Sequence, residues 1–160
     1  MSADFSDSKG RNLPSDWPGG GASALRALVA EAVTADHSWI EDGASTIWKG
    51  GNTRGLDVTS DHTRRDAKAV CRDREGWITL CRPGGKPYDP ERVDRITLVE
   101  VVTVDTGWHV DLSSVRLAAT AVIGDVWDIP VVMLNELMPA PGRYRNALLP
   151  TDVLSSWRRR

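Results

Sequence analysis

The sequence RITLVEVVTV-DTG-WHVDL, residues 95 to 112, is the stretch that decides the fold. Its first ten residues are rich in β-branched side chains, which favour a strand. The tripeptide at 105 to 107 is typical of a tight turn, and the apolar–polar alternation after it favours a second strand. We therefore predict a central β-hairpin against which the rest of the chain packs.

The chain before this hairpin predicts one helix, short strands and a second hairpin. The helix begins with Ser23 as N-cap and ends near His37, because apolar residues recur at the spacing of one helical face. These residues are Leu25, Leu28, Val29 and Ala32. Short strands are predicted at 45 to 49 and at 56 to 59, with one helical turn between Ser60 and Arg65.

The second predicted hairpin joins AKAVCR to WITLCR through the turn DREG, and it contains both cysteines. If Arg72 pairs with Trp77, Cys71 and Cys81 point to opposite faces of the sheet, because strand residues alternate. A disulfide between them is then sterically excluded. We predict free thiols, as is usual for a chain without a secretory signal.

The segment after the central hairpin leaves one choice open. Residues 113 to 123 fit a helix capped by Ser113 or Ser114, and they also fit a strand. Residues 126 to 134 predict a strand broken at Pro130, which places it at an edge or a bulge, and 148 to 157 supply a last apolar segment. The predicted fold is α+β, a mostly antiparallel sheet of about five to seven strands with one or two helices packed on it.

Length and composition predict a single domain. The chain has 160 residues and a formal charge of -2, which argues against a nucleic-acid or membrane field over its whole surface. Residues 1 to 22 predict an extended arm, 23 to 157 the domain, and 158 to 160 a basic tail. No apolar run reaches the ~20 residues of a membrane span, and the polar start has no signal-peptide core. We expect a cytoplasmic protein, or a virion component if it assembles.

The tripeptide led by Asp105 resembles the active-site loop of aspartic proteases, where two such loops share one proton. The chain departs from that pattern in two ways. Trp108 follows where the family has a small residue, and the apolar-apolar-Gly element at 122 to 124 comes too soon to leave chain for a flap.

His109 and Asp111 share a strand face and have the spacing of two iron ligands. A third ligand of that type would be a later His, and none follows His109. We predict no metal and no cofactor. A small enzyme that uses Asp105, His109 and Asp111 is the third-ranked hypothesis.

Basic residues form two clusters that could bind nucleic-acid phosphates, with tryptophans nearby for base stacking. They are Arg64, Arg65, Lys68, Arg72, Arg74, Arg158, Arg159 and Arg160. Carboxylates interleave with the first cluster. A nucleic-acid-binding accessory protein is therefore the second-ranked hypothesis.

Aromatic usage favours a protein partner, because seven Trp accompany one Phe and two Tyr, and Trp is enriched at interface hot spots. The predicted interface residues are Trp17, Pro18, Trp127, Pro130 and Trp157. The first-ranked hypothesis is a non-catalytic interaction or assembly subunit. Its neighbours, in a homo-oligomer or in a phage or bacterial particle, would contact the arm and the edge strand.

Overall fold

The computed structural model describes residues 22–49, 56–81, 85–104, 110–111, 116–117, 121–138 and 146–159. In these ranges two α-helices form, α1 (Ala22–Asp42) and α2 (Val131–Leu137). The strands are β1 (Ile47–Trp48), β2 (Val58–Thr59), β3 (Arg64–Val70), β4 (Trp77–Cys81), β5 (Arg95–Val104), β6 (Val110–Asp111), β7 (Arg116–Leu117), β8 (Ala121–Pro130) and β9 (Asn146–Pro150). Short 3-10 helices cover Gly43–Ser45 and Thr151–Trp157.

The main sheet has five strands in the order β1-β2-β3-β5-β8. β3 and β5 run parallel, and the other three pairings in this sheet are antiparallel. β4 with β9 and β6 with β7 form two small antiparallel sheets. The fold is α+β with a mixed, mostly antiparallel sheet, so the predicted fold class is confirmed.

The central strand is β5, but its partners are not those of the predicted hairpin. It pairs with β3 on one side and with β8 on the other, whereas Val110 and Asp111 pair with β7. The prediction that 95 to 104 pairs with 108 to 112 is therefore wrong. Residues 96 to 99 are buried on both faces of the sheet, and β5 lies between β3 and β8.

The turn of the second predicted hairpin is present in the structure, but its two arms do not form a continuous antiparallel ladder. The Asp73 N–H donates to the Trp77 carbonyl over 2.8 Å, which closes the turn. Beyond it Arg72 forms one isolated bridge with Ile78, so the predicted Arg72–Trp77 register is wrong by one residue. β4 then turns away and pairs with β9. Cys71 is a free, exposed thiol, as predicted.

Three predicted boundaries are also corrected. α1 begins at Ala22 instead of after a Ser23 cap and continues to Asp42, where Gly43 follows with a φ of +73°. The predicted helical turn before Arg65 is instead a turn in which the Ser60 hydroxyl accepts the Thr63 N–H over 3.0 Å. The helical alternative for 113 to 123 is wrong where the chain is described, because those residues lie in β7 and β8.

Apolar side chains pack on both faces of the main sheet, which fixes the position of α1. The cluster on the α1 face contains Val29, Ala30, Ala67, Val99, Val101 and Val126. The larger cluster on the opposite face gathers β4, β9 and α2 around Trp127, Ile96 and Leu98. In the described part of the chain no helix has the length and apolarity needed to cross a membrane.

Gly124 supplies a test of this packing, because a Cβ there would overlap the Glu100 carboxylate. That carboxylate also accepts the Asp125 N–H and pairs with Arg72. We expect Gly124→Ala to displace Glu100 and to lower the free energy of unfolding by about 1–2 kcal/mol, measured by urea denaturation. In a Glu100→Ala background the same substitution should cost almost nothing. An equal cost in both backgrounds would contradict this packing argument.

Candidate functional site

Three carboxyl groups and one lysine meet where α1, β2 and β3 come together. Glu31 projects from α1 and is only 6% exposed. Asp57, just before β2, is hydrogen-bonded to the side chains of Glu31 and Asp66 and also accepts the Ala67 N–H over 2.8 Å. Lys68 lies 2.9 Å from Asp66. We call these four residues the carboxyl cluster.

The local sequence explains this arrangement. Asp66 and Lys68 are two residues apart on β3 and therefore share a face. The turn at 60 to 63 returns the chain so that β2 pairs with β3, which sets Asp57 beside Asp66. Glu31 faces the sheet because it lies one helical turn after the fully buried Leu28.

Burial and mutual proximity make it unfavourable for all three carboxyl groups of the carboxyl cluster to be ionised. Burial, together with the hydrogen bond and negative charge of Asp66 and the charge of Glu31, raises the pKa of Asp57 to about 10. Burial also raises the pKa of Glu31 above its ordinary value. Asp57 is therefore protonated at neutral pH, because carboxylates this close and this buried cannot all be ionised.

A cavity of about 610 Å³ opens beside the carboxyl cluster, with Asp66 in its wall. Its volume is within the range of small-molecule sites. The wall combines an apolar part, formed by Leu56, Pro87, Tyr88 and Val93, with side chains of both charges. The charged lining residues are Lys49, Arg64, Lys86, Arg92, Asp66, Asp89 and Glu91.

The loop that forms one side of the cavity is tied to the fold at two points. The Asn135 amide accepts the Tyr88 N–H over 3.0 Å and donates to the Tyr88 carbonyl over 2.8 Å. Arg64 binds both oxygens of Asp94, and its hydrogen bonds hold the pKa of that carboxyl below its ordinary value. The cavity wall is therefore fixed by groups outside the carboxyl cluster.

A second ionic network lies on the α1 face of β3. Arg65 is 2% exposed, and its guanidinium contacts Asp42 at 2.9 Å and Glu41 at 2.5 Å. Asp128 on β8, 5% exposed, pairs with Arg95 at 3.0 Å and Arg159 at 2.9 Å. We call this the arginine network. It joins α1 to the sheet. Arg65 belongs to this network, whereas the next residue, Asp66, points to the other face of β3 and belongs to the carboxyl cluster.

The structure separates the basic residues that were expected to bind nucleic acid. Arg64, Arg65, Lys68, Arg72 and Arg159 each have a carboxylate partner. Arg74 and Arg158 are exposed. Within β3, the alternation of the strand places Arg64 and Lys68 on one face of the sheet and Arg65 on the other. Arg160 lies outside the described residues.

The predicted interface residues are also divided. Trp127 is 1% exposed and belongs to the core, so its ring offers no contact surface. Trp157 is partly buried against the same core, and Pro130 ends β8, which is the terminal strand of the sheet as predicted. Trp17, Pro18, Asp105 and His109 lie outside the described residues, as does the side chain of Asp111.

Sequence reasoning missed the carboxyl cluster. Asp66 was interpreted only as a charge that neutralises neighbouring arginines, and Lys68 only as part of a basic cluster. Two signals were present. Glu31 occupies an apolar position of its helix, which is unusual for an unpaired charge, and Asp66-Ala-Lys68 places opposite charges on one strand face.

Among the described residues, no group of three or more His, Cys, Asp or Glu side chains forms a ready-made metal site. Mg²⁺ does not require one, because it usually binds one or two carboxylates together with substrate phosphate and water. Comparisons with protein-family models, with curated proteins and with solved structures found no match for this chain. The site is therefore interpreted from its geometry alone.

Proposed function

We propose that the carboxyl cluster and the adjoining cavity form the active site of a divalent-cation-dependent hydrolase that cleaves phosphate esters, with a nucleic-acid strand as substrate. The observation that carries this proposal is the position of Asp66. It is both a member of a proton-sharing carboxyl cluster and part of the wall of a 610 Å³ cavity. The acid whose pKa is strongly raised is its neighbour Asp57, and Asp66 connects that acid to the cavity. Acids with strongly shifted pKa values cluster at functional sites.

The cluster supports a cation because its own charges do not balance. Three carboxyl groups face one ammonium group, and the excess negative charge is now relieved by a proton on Asp57. A divalent cation at the cavity side of Asp66 would relieve the same excess without protonation. Carboxylate oxygens are the ligands that Mg²⁺ prefers, and two of them are sufficient when a phosphate completes the shell.

The cavity supports a phosphate-bearing substrate because cationic side chains surround the carboxylates. Lys86 and Arg92 are exposed at the rim, and Lys49 lines the wall on the side of β1. A substrate that carries both a bound cation and negative oxygens is complementary to a wall of mixed charge. Nucleic acid, the second-ranked partner from the sequence, presents such groups at regular intervals.

The reaction class follows from these groups. In hydrolysis a water oxygen bonds to phosphorus, the ester P–O bond breaks, the water loses a proton and the departing alkoxide gains one. A bound divalent cation supplies polarisation of the phosphate and a more acidic water. Asp57 and Asp66 would hold that cation when it is bound, and Lys68, beside Asp66, would stabilise the negative charge that develops on the phosphate.

The test is cleavage of fluorescently labelled DNA and RNA strands with Mg²⁺ or Mn²⁺, and with EDTA. We expect cleavage only with the cation. Asp66→Asn and Lys68→Met should each reduce it at least ~100-fold, because an active-site charge contributes several kcal/mol to transition-state stabilisation. Glu136→Gln is the matched control, since Glu136 is exposed on α2. Cation-independent cleavage, or full activity of Asp66→Asn, would refute the proposal.

A second candidate function is the interaction or assembly role that the sequence analysis gave as its first hypothesis. It is favoured by Trp39 and Ile40, two adjacent large apolar side chains on α1 that are 56% and 79% exposed. Large exposed apolar side chains support a contact surface when they belong to a contiguous patch. Light scattering on full-length protein, on a variant lacking residues 1 to 20 and on Trp39→Ser tests it. A monomer in all three cases would rule out self-assembly and leave a heteromeric partner as the remaining form of this candidate.

A further inference from the structure

The segment after the last 3-10 helix lies along the outer edge of β8 as a short added strand. Arg158 forms an antiparallel bridge with Trp127. The Arg159 N–H donates to the Val126 carbonyl over 2.7 Å. Main-chain pairing at a sheet edge is the way in which many extended peptides are recognised.

The Arg159 side chain adds the specific part of this contact. It reaches Asp128 at 2.9 Å and also pairs with Glu41. Both carboxylates line a polar cleft of about 420 Å³, together with Arg65 and Arg95. A guanidinium is therefore held between two carboxylates from different elements, Glu41 on α1 and Asp128 on β8.

The net negative charge of these groups favours the binding of a cationic side chain in the cleft. Without Arg159, the arginine network has three carboxylates, Asp128, Glu41 and Asp42, and two guanidiniums, Arg65 and Arg95. The net charge of these five groups is -1. An arginine fits better than a lysine, because its planar fork can bond to Glu41 and Asp128 at once.

We propose that the β8 edge and this cleft form a binding groove for an extended, arginine-bearing peptide of another protein chain, a groove that residues 158 and 159 occupy in cis. Residues 158 and 159 show which ligand fits the groove. Their backbone pairs with β8, and one arginine side chain lies between Glu41 and Asp128. This inference goes beyond the proposed hydrolase and does not depend on it.

The test uses the full chain with Arg159→Ala and a fluorescein-labelled peptide of sequence SSWRRR, which corresponds to residues 155 to 160. We expect this variant to bind the peptide about tenfold more tightly than the wild type. The variant lacks the Arg159 side chain that competes with the peptide, and the peptide arginine can make the charged hydrogen bonds that Arg159 made. Binding is measured by fluorescence anisotropy, with circular dichroism as a check of folding.

Two control peptides make the result specific. SSWRAR lacks the arginine equivalent to Arg159, and RSWRSR has the composition of the probe in another order. Both should bind the Arg159→Ala variant about tenfold more weakly than SSWRRR. If that variant does not fold, Arg159→Lys replaces it, because it keeps the charge and loses the fork. Equal binding of the three peptides, or no binding of SSWRRR, would overturn the proposal.

Discussion

Asp57→Asn is expected to abolish the proposed hydrolysis while leaving the protein at least as stable as the wild type. Asn is nearly isosteric with the protonated Asp that the raised pKa of about 10 implies at neutral pH. The substitution therefore removes little from the folded metal-free protein, and the neutral amide cannot ionise at high pH. It removes a cation ligand, which should reduce cleavage by two to three orders of magnitude.

The same residue predicts how stability depends on pH. The pKa of Asp57 rises from 3.8 to about 10, so the folded state binds one more proton than the unfolded state between these values. The stability that this proton provides is fully present below the unfolded pKa and is lost as pH rises through the folded pKa. We expect the free energy of unfolding to fall between about pH 4 and pH 10.

Two other carboxyls act in the opposite direction at low pH. The pKa values of Asp94 and Asp42 are lowered in the folded protein, so their contribution is lost as pH falls through those values. Urea denaturation of the metal-free protein at a series of pH values measures the free energy of unfolding on both the alkaline and the acid side. In Asp57→Asn the alkaline decline should be much shallower. A decline of equal slope in variant and wild type would show that Asp57 is not the group responsible.

Arg65→Leu is expected to lower the free energy of unfolding by about 3–5 kcal/mol, because it removes a buried guanidinium and leaves Asp42, whose side chain is 11% exposed, without its ion-pair partner. The Arg65 guanidinium contacts Ser38, Asp42 and Glu41 and lies near Asp128. That loss is a large part of the stability of a typical domain. Arg65→Lys should recover only part of it, since one ammonium group cannot reach all of these acceptors.

The neighbouring arginine is the matched control. Arg64 also pairs with a carboxylate, Asp94, but both side chains are 39% exposed. Exposed ion pairs contribute little to stability, so Arg64→Leu should leave the urea midpoint almost unchanged. A loss as large as that for Arg65→Leu would contradict the assignment of Arg65 as the buried centre of the arginine network.

The fold class could be predicted from local patterns, whereas strand pairing could not. The β-branched run in β5 correctly indicated a buried central strand. Its partners β3 and β8 are set by burial of both faces, a tertiary condition that a turn signal such as Asp105-Thr106-Gly107 does not contain. The turn at DREG was likewise predicted correctly from local sequence. The pairing of β4 with β9 was not predicted, because it depends on tertiary packing.

The candidate site was harder to predict because its members are ordinary residues in sequence. Asp57 and Asp66 gain their unusual chemistry from a hairpin register, and Glu31 joins them only when α1 packs on the sheet. The edge position of β8 and the break at Pro130 agree with the prediction, because proline removes a ladder hydrogen bond wherever the strand lies. The prediction that residues 131 to 134 continue the strand is wrong, since they begin α2.

The alternation of β3 has a consequence for insertions and deletions. Arg65 serves the arginine network on one face, and Asp66 serves the carboxyl cluster on the other, so two unrelated requirements share one register. A shift of β3 by one residue along β5 would exchange the two faces, so that Arg65 would no longer reach Asp42 and Asp66 would no longer lie beside Asp57. The pairing of β3 with β5 therefore keeps both groups of charges in place, whatever the length of the turn at 60 to 63.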